Sequence, residues 1–202
     1  SGKWGMIAYG NEIHSIMIGY KRGRFTGTIG VSGWCDDNPD KWENLQTLPY
    51  WNEKAYEKAN PDMFSLQKNW AKEHIKEEHR IKDSIVTTMS ANKYNEKQSR
   101  AMSAHIDSGD YPEGLSTMAV FKDGDYSGAY LTFPQYGIAI DIPDNTCALF
   151  DSQVMHGVTP IKGEGTRYSI TAYTDTRLAT IGAAGKSERP IGHHNKDKRG
   201  SF

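Results

Sequence analysis

The chain has 202 residues, with 24 Lys and Arg against 25 Asp and Glu, which gives a formal net charge of −1. This length is typical of one globular domain, and the balanced charge excludes a whole-molecule attraction to nucleic acid or to an anionic membrane. No stretch approaches the roughly 18 apolar residues of a membrane span, and the first residues lack the apolar run of a signal peptide. We therefore expect an intracellular protein, nuclear or cytoplasmic, with no membrane or protein partner; a phage or bacterial origin stays open.

The first elements in chain order are short β-like runs at 6–9, 13–20 and 25–31, which Gly and Asn residues separate into hairpins. Two helices are predicted next, at about 40–59 and about 61–82. Asn60 is the expected N-cap of the second helix, and Pro61 its first residue.

The rest of the chain is rich in short β-like runs, divided by turn signals, at 84–91, 115–122, 129–133, 137–142, 146–152 and 168–174. Such strands without intervening helices predict an antiparallel sandwich or jelly roll, in an α+β fold whose helices come from the N-terminal half. We expect a single domain at 1–185 with its core at about 84–175. Residues 186–202 carry five basic and two acidic residues and are expected to form a flexible tail.

The cysteines indicate where a metal could bind. Cys35 and Cys147 lie far apart and outside any Cys-x-x-Cys spacing, which argues against a disulfide framework and a thiolate zinc site. The segment 74–79 contains His and Glu, but it lacks the order His-Glu-x-x-His, and we interpret it as an exposed charged face. Other His and carboxylate residues must therefore hold any metal.

The strongest chemical pattern is His105-Ile106-Asp107, followed 49 residues later by His156. Residues i and i+2 of a strand point to the same side, so His105 and Asp107 can bind one cation, and His156 follows an apolar strand that could bring it near. Two imidazoles and one carboxylate are typical of non-haem Fe(II) sites with open positions. Arg167 and Ser169, which share one face of a later strand, are placed to bind a carboxylate.

The order His-x-Asp, His and Arg-x-Ser resembles the Fe(II)/2-oxoglutarate-dependent dioxygenases, whose fold is a double-stranded β-helix. The resemblance covers about residues 84–175. It implies that His105, Asp107 and His156 hold Fe(II) for reaction with O2, and that Arg167 and Ser169 bind the distal carboxylate of 2-oxoglutarate. The string Asn92-Lys93-Tyr94 looks like the Asn-x-Tyr that contacts 2-oxoglutarate in the nucleic-acid demethylases, which adds Asn92 and Tyr94 as expected co-substrate ligands.

A narrower resemblance to the TET/JBP branch rests on the strings at 90–94, 105–110, 127–141, 149–152 and 155–160. The branch implies oxidation of the 5-methyl group of 5-methylcytosine or thymine in nucleic acid, with DNA favoured over RNA. The chain departs from the branch in two ways. The zinc-binding and cysteine-rich additions of the animal enzymes are absent, and Gly128-Ala129 stands where Gly-Gly is usual.

A base inside a duplex must be extruded to reach a metal centre. The expected substrate contacts are Ser108, Asp110, Tyr111, Arg22 and Arg24. Tyr111 could stack on the base, while Arg22, Arg24 and the tail could bind phosphates. Two other interpretations stay open: a hydroxylase of the same superfamily acting on a small molecule or a protein side chain, and a non-catalytic cupin-like module whose histidines bind zinc or no metal.

Overall fold

The computed structural model describes residues 14–23, 25–96 and 102–179. The helices in these ranges are α1 (Gly33–Asp37), α2 (Pro39–Leu45), α3 (Leu48–Ala59) and α4 (Pro61–His74). The strands are β1 (His14–Arg22), β2 (Ile29–Val31), β3 (Thr88–Asn95), β4 (Met102–His105), β5 (Ser116–Asp123), β6 (Tyr126–Gly128), β7 (Leu131–Phe133), β8 (Ile138–Ile140), β9 (Thr146–Phe150), β10 (His156–Val158), β11 (Ile161–Gly163) and β12 (Thr166–Tyr173). The predicted strand at 6–9, Arg24 and the tail at 186–202 lie outside the described residues.

The helical region differs from its prediction in two places. The helix predicted at 40–59 is split into α2 and α3, because Pro49 lies in the first turn of α3 and its ring would clash with a helix that continued through it. The helix predicted at 61–82 ends at His74, where Ile75 turns to an extended conformation and buries its side chain. The predicted start is confirmed, because Asn60 Oδ1 accepts a hydrogen bond from the Met63 N–H at 3.2 Å.

The strands form three antiparallel sheets. The largest has the order β2-β1-β3-β12-β5-β9, the second has the order β4-β10-β7-β8, and β11 pairs with β6 in a small third sheet. This arrangement confirms the predicted jelly roll. The β-like runs found in the sequence do not include β4, β6, β10 and β11, which are only three or four residues long, although His105 was expected to lie on a strand.

The jelly-roll core lies between the two larger sheets. It contains buried Met118 and Val120 from β5, Leu131 from β7 and Phe150 from β9. The helices pack elsewhere on the barrel, where Tyr56 of α3 and residues of α4 contact Ile85 and Leu115. No helix in the described part of the chain is long and apolar enough to cross a membrane.

Strand β1 changes partner at Gly19. Up to this residue β1 pairs with β3, and from Tyr20 onward it pairs with β2. The backbone φ of Gly19 is +99°, and a Cβ atom there would lie 2.6 Å from the carbonyl oxygen of Thr87. Because only glycine tolerates both conditions, Gly19 allows β1 to join the hairpin to the major sheet.

Candidate active site

The structure brings the three predicted metal ligands together. His105 is the last residue of β4, His156 is the first residue of β10, and the two are directly paired across the sheet. Asp107 reaches both, with its Oδ1 3.4 Å from His105 Nε2 and its Oδ2 3.5 Å from His156 Nε2. One possible ligand atom from each residue lies within 4.8 Å of the others. The expectation that His105 and Asp107 share a strand is wrong, because β4 ends at His105 and a turn places the carboxylate.

The two imidazoles are oriented for metal binding by the backbone. His105 Nδ1 lies 2.8 Å from the Ser103 carbonyl oxygen, and His156 Nδ1 lies 2.8 Å from the Val154 carbonyl oxygen. In a metal-bound site each Nδ1 would carry a proton and donate it to its carbonyl oxygen, so each Nε2, which lies toward Asp107, would offer its lone pair to the ion. The donor set therefore fits a hard or borderline divalent ion such as Fe(II).

Asp107 is held by the loop that leads to His156. Its N–H donates to the Ser152 carbonyl oxygen at 3.0 Å, and its own carbonyl oxygen accepts from Gln153 Nε2 at 3.0 Å. Burial raises the pKa of the Asp107 carboxyl, but hydrogen bonds from His105 and His156 outweigh it and hold the pKa well below its ordinary value. The carboxylate is therefore ionised, as a metal ligand must be.

The four residues expected to bind 2-oxoglutarate lie on one face of the major sheet. In the register of β3 and β12, Arg167 is paired with Tyr94, and Ser169 is paired with Asn92. The Arg167 guanidinium carbon lies 5.7 Å from the centre of the Tyr94 ring. Strand alternation therefore produces the cluster that the sequence predicted, from segments more than seventy residues apart.

Within this cluster, Arg167 is a buried cation whose hydrogen-bonding capacity is not fully used. The residue is 2% exposed, Nη2 contacts the Met118 sulfur at 3.7 Å, and Nη1 has no hydrogen-bond partner among the described residues. Burial lowers the pKa of the guanidinium, although arginine remains charged in proteins. A buried cation is strongly disfavoured unless it is paired, so the cluster fits a carboxylate ligand such as the distal end of 2-oxoglutarate.

Two expected substrate contacts are buried, and their assignment is corrected. Asp110 is 6% exposed, and its Oδ2 accepts a hydrogen bond from Ser116 Oγ at 2.6 Å. Burial, with the charge of Asp107, raises its pKa to about 7 although hydrogen bonds lower it. Tyr111 is 5% exposed and packs on Trp70 of α4 with ring centres 4.6 Å apart. Neither side chain is free to contact a base, because each packs inside the protein.

The remaining expected contacts differ in position. Ser108 is exposed in the turn that follows Asp107. Arg22 instead donates to three backbone carbonyl oxygens, those of Gly27, Arg177 and Ala179, and so fastens the β1–β2 hairpin. A phosphate contact by Arg22 would have to compete with these bonds. Arg24 and the tail lie outside the described residues.

The sequence model of the Tet_JBP family, described as the oxygenase domain of the 2OGFeDO superfamily, matches residues 35–176. This match covers more than half of the chain and includes every residue of the metal and arginine clusters. The chain belongs to the Tet_JBP family. The resemblance inferred from the sequence is thereby confirmed, and the cupin-like module is excluded.

This Tet_JBP domain is similar to two JBP1 sequences and to one solved structure. Thymine dioxygenase JBP1 of Trypanosoma brucei brucei is 25% identical over 128 residues, which are 63% of this chain and 14% of the relative. The JBP1 of strain 927/4 GUTat10.1 gives the same values. The chain therefore spans a small part of these relatives. The solved structure of NgTET1 in complex with 5mC DNA has a TM-score of 0.66 at 13% identity, covering 82% of this chain and 62% of NgTET1, which shows a shared fold.

The residues that position Asp107 were missed by the sequence analysis. Ser152 and Gln153 bind the backbone N–H and C=O of Asp107, and the carbonyl oxygen of Gly109, two residues later, accepts hydrogen bonds from the Thr176 N–H and Oγ1, both 2.9 Å long. The available signal was the position of Ser152-Gln153 in the short segment before His156. Polar residues between a strand and a ligand are candidates for orienting that ligand.

Proposed function

We propose that this Tet_JBP domain hydroxylates the 5-methyl group of 5-methylcytosine or thymine in DNA, using Fe(II), 2-oxoglutarate and O2. The observation that carries the proposal is a preformed triad of His105, Asp107 and His156 in the same jelly roll as the buried cation of Arg167. Family membership supports this chemistry. The substrate is supported by JBP1, a thymine dioxygenase, and by NgTET1, which was solved with 5mC DNA.

The triad would hold Fe(II) through the Nε2 atoms of the two histidines and one oxygen of Asp107. When bound, Fe(II) supplies the redox chemistry for breaking a substrate C–H bond, with 2-oxoglutarate converted to succinate and CO2. The chain contributes a fixed ligand geometry. The Phe150 ring packs edge-on against His156 with centres 5.1 Å apart, which helps to exclude water from that side.

The co-substrate would bind through its distal carboxylate. Arg167 offers the charge, Ser169 and Asn92 offer hydrogen-bonding side chains on the same face, and the Tyr94 ring limits the position of the guanidinium. Because Arg167 is buried and fixed on a strand, binding needs little reorganisation of the protein. This cluster would select a 2-oxo acid that carries a second carboxylate.

The methyl-bearing base would approach from the exposed side of the triad. The side chains of His105 and Asp107 are 37% and 34% exposed, whereas that of His156 is 6% exposed. Ile106 and Ser108, the sequence neighbours of Asp107, are also exposed, and Ile106 is 47% exposed. A base extruded from the stack can therefore meet the metal beside an apolar and a hydroxyl side chain.

Mass spectrometry of nucleosides tests the proposal. Duplex DNA containing 5-methylcytosine and thymine is incubated with protein, Fe(II) and 2-oxoglutarate, and we expect a nucleoside heavier by one oxygen atom together with succinate. His156→Ala should abolish both products. His74→Ala changes a histidine on α4 outside the site and should retain them.

Matched RNA containing 5-methylcytosine and a panel of small methylated molecules complete the experiment. Oxidation of DNA alone, or of DNA far faster than the others, supports the proposal. Oxidation of RNA or a small molecule without DNA contradicts the substrate. Product that persists in His156→Ala contradicts the assigned metal site.

A further inference from the structure

A second buried donor is present beside the arginine cluster. Among the residues that the structure describes, the buried side-chain polar atoms without a hydrogen-bond partner are His79 Nδ1, Arg80 Nε, Tyr126 Oη and Arg167 Nη1. Tyr126 and Arg167 are close enough that each side chain shifts the pKa of the other electrostatically. A buried donor left without a partner costs free energy, so two such donors in one region indicate a missing acceptor.

The strand register places Tyr126 near Arg167. Lys122 of β5 is directly paired with Arg167 of β12, and the Lys122 Nζ lies 5.2 Å from the centre of the Tyr126 ring. The ring therefore stands over the same end of β5 and β12 as the guanidinium. Lys122 itself is bound to Asp141 at 3.3 Å, and this carboxylate is 61% exposed.

Two glycines lie against Tyr126, one beside its ring and one beside its Cα atom. A Cβ atom at Gly165 would lie 2.9 Å from Tyr126 Cδ1, and one at Gly163 would lie 3.2 Å from Tyr126 Cα. On its other side, Tyr126 packs against the buried cluster of Ala129, Val158 and Ile161. The ring is thus held between backbone and core, which fixes the direction of its hydroxyl.

The Tyr126 hydroxyl is suited to donate to an anion. Burial raises its pKa, which the charge of Arg167 only partly opposes, so the hydroxyl keeps its proton at neutral pH. No carboxylate among the described residues forms an ion pair with Arg167. A ligand carboxylate at this point would accept hydrogen bonds from both side chains.

We infer that Tyr126 is a positioning residue for the co-substrate, its hydroxyl donating a hydrogen bond to the distal carboxylate of 2-oxoglutarate beside Arg167. This inference rests on the proposed use of 2-oxoglutarate and adds a residue that the Arg-x-Ser pattern does not contain. The positively charged guanidinium of Arg167 and the neutral hydroxyl of Tyr126 together select a dicarboxylic 2-oxo acid over a monocarboxylic one.

Calorimetric titration of Mn(II)-loaded protein tests the inference without turnover. Tyr126→Phe should weaken 2-oxoglutarate binding by roughly tenfold to a hundredfold, the range expected when a hydrogen bond to a charged group is lost. Binding of pyruvate, which lacks the distal carboxylate, should be unchanged. Tyr168→Phe is the matched control, because Tyr168 adjoins Arg167 in sequence but lies partly exposed on the opposite face of β12.

A thermal unfolding measurement separates this role from a structural one. Without 2-oxoglutarate, Tyr126→Phe should unfold at the same temperature as wild type or slightly higher, because the variant loses an unsatisfied hydroxyl. With saturating 2-oxoglutarate, its stabilisation should be smaller than that of wild type at equal concentration. A structural tyrosine would instead lower both temperatures equally.

The outcomes distinguish this inference from the proposed function. If wild type binds 2-oxoglutarate and Tyr126→Phe binds it equally well, the role of Tyr126 is refuted while the proposed function stands. Equal weakening of pyruvate and 2-oxoglutarate would also refute it, because the effect would not involve the distal carboxylate. If wild type binds no 2-oxoglutarate, the proposed function fails first.

Discussion

Replacing Arg167 with methionine should stabilise the protein while removing co-substrate binding. In the ligand-free protein the guanidinium is buried, contacts the Met118 sulfur and the Tyr94 ring, and has no carboxylate partner among the described residues. Methionine has a similar length and no charge, so Arg167→Met exchanges a desolvated cation for an apolar side chain.

The expected change in the free energy of unfolding of Arg167→Met is the sum of two opposing effects. Replacing buried charged groups with apolar side chains of similar volume is often neutral or stabilising by about 1–4 kcal/mol. Loss of the contact with the Tyr94 ring costs about 0.5–2 kcal/mol. We expect a net gain of about 1 kcal/mol, which raises the Tm of a domain of this size by about 2–4 °C.

Thermal unfolding with and without 2-oxoglutarate measures both effects. Wild type should gain about 2.7 kcal/mol at a co-substrate concentration one hundred times its Kd, whereas Arg167→Met should gain much less at the same concentration. Arg177→Met is the matched control, because Arg177 binds the buried carboxylate of Asp175 at 2.7 Å and its loss should lower the Tm. A lower ligand-free Tm for Arg167→Met would refute the expectation that the buried guanidinium destabilises the ligand-free protein.

Three further predictions concern other parts of the structure. Gln153→Ala should weaken Mn(II) binding about tenfold in a metal titration, because the residue orients Asp107 from outside the ligand set; unchanged affinity would contradict this. Gly19→Ala should lower the free energy of unfolding by more than about 2 kcal/mol in urea because of its positive φ and the close carbonyl, whereas Gly30→Ala meets open space and should not. Burial raises the folded-state pKa of Glu53 despite hydrogen bonds that lower it, so above pH 4.5 the folded state binds more protons than the unfolded state. Stability should therefore fall as pH rises through this window, and Glu53→Gln should flatten the slope; equal slopes in denaturation at several pH values would exclude Glu53 as the cause.

The grouping of His105, Asp107 and His156, and of Arg167 with Tyr94, could be predicted because the expected chemistry restricts residue type. Two histidines and an aspartate suit Fe(II), and a buried arginine suits a carboxylate, whatever the exact strand limits. Alternation along β3 and β12 places Tyr94 and Arg167 on one face, although both residues lie outside the strands predicted at 84–91 and 168–174.

The burial of two predicted substrate contacts could not be foreseen from the sequence, because burial depends on distant parts of the chain. Asp110 and Tyr111 follow the metal ligands in sequence, and a loop beside a metal was expected to be exposed. Instead Trp70 of α4 covers Tyr111, and Ser116 at the start of β5 binds Asp110. Likewise, two of the three hydrogen-bond partners of Arg22 are more than 150 positions away in the chain, which no local pattern indicates.

The spacing of the metal ligands also has a consequence for folding. His105 and His156 are adjacent in the sheet but 51 positions apart in the chain, so a bound ion closes a long loop. If the ion constrains the unfolded chain as a covalent cross-link does, a loop of this length corresponds to about 4 kcal/mol of chain entropy. A bound ion would then stabilise the jelly roll in addition to serving the proposed reaction, and removing it with a chelator should make the protein easier to digest with a protease.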